Sequence, residues 1–185
     1  DGREDGLTWA TPNGPRRTKL LAGRLEGTAP FSWDGNADHL HVHLKETFER
    51  LGGVGGLRSI ELKALVAYLE SLDPPPTYAA NTSDPKVKRG AAIFASEEAG
   101  CASCHGGSAL TDNKIHDVDS KTPTDRNPTF NTPSLRFISG RAPYYHDGRY
   151  ETLRDLLWGV DGSMGHTRHL SPEDLDALEA YLETL

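Results

Sequence analysis

Of 185 residues only two are cysteine and one is methionine, and aromatic side chains make up 8 %. Two cysteines leave no second pair for a structural zinc site. With 36 % hydrophobic residues, two small domains would each have a thin apolar core, so something besides side chains has to help fill it. No apolar run approaches the length of a membrane span. The opening DGREDGLTWATPNGPRR lacks the apolar centre of a signal peptide, so the chain is expected to be either cytoplasmic or already mature. A net charge of −7 argues against nucleic acid or an anionic membrane surface as partner.

What is present is organised as a repeat. The stretch DPPPTYAANTSDP (73–85) is the clearest boundary, because three consecutive prolines cannot continue a helix and small polar residues follow. On either side of it, LRSIELKALVAYLESL (57–72) aligns without a gap with LSPEDLDALEAYLETL (170–185), an offset of 113 residues. APFSWDG (29–35) aligns with APYYHDG (142–148) at the same offset, and ETFERLGG (46–53) answers ETLRDLLWG (151–159) with extra residues in the first copy. Ordered blocks at one spacing predict two copies of one domain, over 1–72 and 85–185, with 73–84 as linker.

The secondary structure expected is all-α, short helices joined by long loops, with almost nothing reading as strand. Ser171-Pro172-Glu173 is a helix start, and Leu175, Leu178, Leu182 and Leu185 then form a stripe at helical spacing with Tyr181 beside it. The first copy repeats the stripe with Leu62, Leu65, Leu69 and Leu72. A helix is predicted from Pro85 to Ala95, where Gly90, one turn before Phe94, admits a close neighbour. In DHLHVHLKETF, Leu40, Leu44, Phe48 and Leu51 form a candidate buried stripe, and His39 and His43 lie four apart, a spacing that suits a divalent metal.

The two cysteines stand in CASCH, Cys101 to His105, a Cys-x-x-Cys-His run. Its spacing is the attachment signature of haem c: two thioethers to the vinyl groups, and the next histidine held under the iron. A thioredoxin-like pair would need a strand–helix setting that this stretch lacks. Haem c, one and covalent, is therefore the expected cofactor.

Two resemblances follow from these residues. VKRGAAIFASEEAGCASCH resembles the start of a class I cytochrome c, which implies a small helical fold wrapped around haem and an aromatic residue, here Tyr181, on a crossing C-terminal helix. Proteins of that kind place a distal methionine on the loop before that helix, where Met164 stands. His166 and His169 are its rivals as sixth ligand. LTDNKIHDV followed by TPSLRFISGRAPYYHDGRYETLRDLL is similar to the C-terminal domain of the bacterial di-haem cytochrome c peroxidase/MauG family. That resemblance implies two tandem cytochrome c-like domains with a haem each, and suggests a calcium ion between the haems. It also implies His105 and Met164 as iron ligands, with His116 and His146 as non-ligand histidines. Arg136 becomes a candidate partner for a haem carboxylate.

The chain departs from that family in its first half, which has no cysteine and so no attachment motif. Two explanations stand open: a motif left upstream, or a copy that has lost its haem. Asp112, Asp117 and Asp119 lack the spacing of an EF-hand loop and read as a solvated loop. The expected function is single-electron transfer through a His105/Met164 iron, with redox proteins as partners. The alternative is a peroxidase-like oxidoreductase acting on hydrogen peroxide, or a fragment of one. Thioether attachment of haem takes place outside the bacterial cytoplasm, so the expected location is periplasmic or extracellular.

Overall fold

Helix α3 (Pro85–Ala95) and helix α5 (Pro172–Leu182) cross in the most extensive helix–helix contact among the described residues, and the core of the second half is arranged around that crossing. Asp84 caps α3 by accepting from the Lys86 amide at 2.7 Å, and Ser171 caps α5 by accepting from the Asp174 amide at 3.1 Å. Each helix has proline in its first turn, where a missing N–H costs nothing. The crossing works because residue 90 is glycine. A Cβ there would fall 1.9 Å from the Ala177 carbonyl oxygen. One turn on, Phe94 meets Tyr181 with ring centroids 5.3 Å apart.

The computed structural model describes residues 4–76 and 81–185, so part of the proline-rich segment, 77–80, lies outside the described residues. In chain order the elements are β1 (Thr8–Thr11), β2 (Gly14–Arg17), α1 (Leu40–Arg50), α2 (Ser59–Glu70), α3, a 3-10 turn (Cys101–Ser103), β3 (Ile115–Asp117), β4 (Thr129–Asn131), α4 (Leu153–Gly159) and α5. The fold is mostly helical, but it is not all-α as the sequence suggested. β1 pairs antiparallel with β2, and β3 with β4. These pairs are too short to show an alternating apolar pattern, so nothing local announces them.

The core lies in the second half: Phe94, Tyr144, Leu153, Leu156, Leu157, Val160, Leu178 and Leu182. The predicted stripe on α5 holds, with Leu185 packed at its edge. The stripe on α1 does not, since only Leu40 is buried and Leu51 is 73 % exposed. Its one helical neighbour is α2, which gives its far end nothing to pack against.

The halves are joined by backbone bonds across β2 and the loops. The Arg17 amide donates to the His146 carbonyl at 2.7 Å, and the Asn131 amide to the Trp33 carbonyl at 2.8 Å. The proline run packs back over the first half, where a Cβ on Gly23 would fall 2.5 Å from Pro74 Cβ.

Gly90→Ala is expected to lower stability by about 1–3 kcal/mol through overpacking, read as a fall in unfolding temperature of roughly 2–4 °C per kcal/mol for a chain of this length.

Candidate functional site

The residues after α3 form a hook. Gly100 takes a left-handed φ of 70°, the 3-10 turn Cys101–Ser103 follows, and the His105 amide returns to the Cys101 carbonyl at 3.0 Å. The hook places both cysteines and His105 on one cavity of about 630 Å³. Both thiols are free and half-buried, and burial raises that of Cys101 above its ordinary pKa. His105 is buried, with Nδ1 3.3 Å from the Leu110 carbonyl oxygen. Burial holds its pKa below the ordinary value, against the pull of the Leu110 and Pro133 carbonyls. Neutral, with Nδ1–H donating to a carbonyl, the imidazole keeps its Nε2 lone pair for a metal.

Met164 reaches the same cavity from the loop between α4 and α5. That loop is tied to the hook: the His166 amide donates to the Ala99 carbonyl at 3.0 Å, and a Cβ on Gly165 would lie 2.9 Å from the same oxygen. Asp161 Oδ1 accepts from the amides of Thr167 and Arg168 at 2.7 and 2.9 Å and closes the far side of the loop. His166 also lines the cavity, whereas His169 does not and sits 3.5 Å from Glu98.

Arg136 is not among the lining residues. Its guanidinium donates to the Glu26 carbonyl, and its Nε is buried without a partner among the described residues. The histidines of the first half separate. His39 and His41 stack at the surface, 5.4 Å between centroids, while His43 faces the cavity. Cys104, Asp112 and His116 have ligand atoms within 4.8 Å of one another, with His116 Nε2 2.8 Å from Asp112 and 3.9 Å from Cys104 Sγ. A thiol and an imidazole beside one carboxylate suit a soft metal better than calcium, which prefers an all-oxygen set.

The apolar wall of the cavity is the core itself: Phe94, Leu153, Leu156, Leu157, Leu178 and Leu182 all line it. An apolar wall of helices, a neutral imidazole and two thiols on one turn suit haem c by size, polarity and attachment chemistry. The cytochrome c family profile matches residues 87–185, the half that carries every one of these features. The chain belongs to the cytochrome c family.

Membership brings haem c and a haem-based redox function, with iron as the working metal. The relatives of this cytochrome c are of the di-haem peroxidase/MauG-like kind. It is 29 % identical over 209 aligned positions to the methylamine utilization protein MauG of Methylorubrum extorquens, covering 84 % of this chain and 59 % of that one. It is 28 % identical over 173 positions to hydrazine synthase subunit gamma of Kuenenia stuttgartiensis, covering 68 % and 49 %. The chain thus spans about half the length of the curated relatives it matches. Among solved structures, its fold is similar to Kuenenia stuttgartiensis hydrazine synthase under xenon pressure (TM-score 0.88, 23 % identity, 100 % of this chain and 78 % of that one). It is also similar to a MauG-like protein associated with microbial copper homeostasis (TM-score 0.74, 17 % identity, 98 % and 77 %). At these identities the structural likeness speaks for the fold alone.

Sequence reading missed the junction beside the site. Asp125 is buried between Arg16, which it pairs with, and His146, whose Nε2 lies 3.1 Å away. Arg16 also pairs with Asp34 at 2.8 Å, and His146 stacks on Phe130 at 4.1 Å. Trp33 meets His146 edge-on at 6.4 Å. The offset of 113 set Trp33 opposite His146, and the family resemblance named His146 as a non-ligand histidine, but nothing in the sequence pointed to Arg16, Asp34 or Asp125.

Burial alone would raise the Asp125 carboxyl, but donors from Arg16, Thr122 and His146 hold it at about 2. A folded value below the ordinary 3.8 means its stabilisation is complete above about pH 4 and is lost as pH falls toward 2. Asp125→Asn is expected to cost about 3 kcal/mol at neutral pH, the low end for breaking a buried pair because Arg16 keeps Asp34. In urea titrations, variant and parent should converge as the pH is lowered through that window.

Proposed function

We propose that this cytochrome carries one covalent haem through Cys101 and Cys104, with His105 and Met164 as axial ligands, and transfers single electrons between redox proteins. The observation that carries the reading is the convergence of those four side chains on one cavity from two loops tied together at the Ala99 carbonyl. Haem c supplies a one-electron iron couple. The chain supplies a neutral histidine fixed through Nδ1, a thioether ligand that raises the potential, and an apolar wall that excludes water. With His105 and Met164 both holding the iron, the chain would need little rearrangement when an electron passes. The location fitting this chemistry is the bacterial periplasm or beyond, since thioether attachment takes place outside the cytoplasm. Among the described residues no helix is long and apolar enough to cross a membrane.

We further read the chain as two tandem cytochrome c-like domains, 1–72 and 85–185, joined by 73–84. Local geometry at the repeat offset supports this. Isolated bridges recur at Phe31–Ala37 and Tyr144–Tyr150, and left-handed φ recurs at Ser32 and Tyr145 and at Gly35 and Gly148. Ala64 and Tyr68 on α2 stand where Ala177 and Tyr181 stand on α5, but they are exposed. That face has the residues with which α5 receives α3.

A second reading is favoured by the similarity to MauG proteins: a peroxidase- or MauG-like oxidoreductase, or part of one. The ferric spectrum separates the two. A His105/Met164 carrier predicts a low-spin iron with a methionine–iron charge-transfer band, and Met164→Ala should abolish that band. A high-spin iron that turns over hydrogen peroxide sinks the carrier reading, and a band that survives in the variant sinks the ligand assignment. His105→Ala and Cys101→Ala/Cys104→Ala should each lose the ordinary haem, the first by its spectrum and the second by leaving no haem on the denatured chain.

A further inference from the structure

The cavity wall contributed by the first half carries positive charge that its surroundings do not balance. Arg17, Lys19 and Arg24 line it, and Arg141 joins them from the second half. Arg17 and Arg141 share a single carboxylate, Glu4, at 3.1 and 3.6 Å. Lys19 donates from Nζ to the Ser32 carbonyl at 2.8 Å and lies 4.5 Å from the Trp33 ring centroid, with no carboxylate in ion-pair range among the described residues. Arg24 has neither an ion pair nor a side-chain hydrogen bond among the described residues, although Arg17, Arg136 and Arg141 are near enough to repel it. Burial, with that repulsion, brings Arg24 down to about 10 against the pull of Glu4, and burial with Arg24 brings Lys19 to about 7. Asp34 pulls on Lys19 from outside ion-pair range, but buried cations without a direct ionic partner are costly unless an anion joins them.

We propose that Arg24 and Lys19 of the first half are the counter-charges for the carboxylates of the haem attached to the second half, so that the cofactor clamps the two halves together. The inference rests on the haem reading above and adds to it which residues take the polar edge of the cofactor. It moves that role from Arg136, which is turned to the Glu26 carbonyl, to two residues that face the cavity. A guanidinium forks onto a carboxylate in plane, and an ammonium meets one as a point charge, so the pair suits two carboxylates on one edge. The rest of the lining is largely apolar, so the cavity offers both an apolar surface and a few cations, as the haem itself needs.

The test is a spectroelectrochemical titration of haem-loaded protein with resonance Raman of the carboxylate-bending bands. A cation beside those carboxylates disfavours ferric iron, so Arg24→Gln and Lys19→Gln should each lower the midpoint potential, and the double variant should lower it further. Arg24→Lys should keep the potential near that of the parent. The Raman bands should shift in Arg24→Gln. Haem-loaded Arg24→Gln and Lys19→Gln with unchanged potentials and unchanged bands overturn the proposal, and if either variant fails to accumulate the other decides. An arginine cluster that serves a free anion instead would show as Arg24-dependent binding of inorganic phosphate to haem-loaded protein, with the potentials of both variants unmoved; that result also overturns it. Parent protein that carries no covalent haem at all defeats the functional reading itself, and the clamp with it.

Discussion

The van der Waals contact between residue 90 and the Ala177 carbonyl sets the position of nearly everything else in the second half. With hydrogen in place of a side chain, α3 lies directly on the α5 backbone, and the tilted rings of Phe94 and Tyr181 meet at the next turn. The end of α3 is then fixed, and with it the hook that carries Cys101, Cys104 and His105. The start of α5 is fixed by the same contact, and so is the loop before it that carries Met164. The bond from the His166 amide to the Ala99 carbonyl joins the two ends of this frame. Site geometry and helix packing are therefore one problem.

The second organising feature is the mixed lining of the cavity. Leucines of α4 and α5 with Phe94 line it, and so do arginines and a lysine of the first half. Beside them lies the junction of Arg16, Asp34, Asp125 and His146, where each carboxylate has a cation or imidazole against it. The paired cluster holds the halves together in the chain itself, while Lys19 and Arg24 have no ion pair among the described residues and are the pair proposed to meet the cofactor. A thin core, apparent from composition, is consistent with this arrangement, because a porphyrin would supply the apolar mass that the side chains do not.

Much of this was legible in advance. Helix starts at Asp84-Pro85 and Ser171-Pro172 are written in capping residues, and the α5 stripe is written in leucine spacing. The glycine–aromatic pair on α3 announced the crossing. The paired strands were not legible, because three or four residues cannot display a period and their partners are brought in by turns. The exposure of Phe48 and Leu51 was not legible either, because a stripe tells which face is apolar and not whether anything arrives to cover it.

The sequence by itself carried the expectation of the chemistry: Cys-x-x-Cys-His is contiguous, so the proposed attachment and first iron ligand rest on covalent spacing alone. The repeat at an offset of 113 was determined in the same way, since it is a property of the string. Only the tertiary structure decided which cations face the cavity. Arg24 and Arg136 lie 112 positions apart and look equally suited on paper, but backbone packing turns one inward and gives the other a carbonyl at Glu26. Side-chain charge is encoded locally; its direction is set by what the fold packs against it.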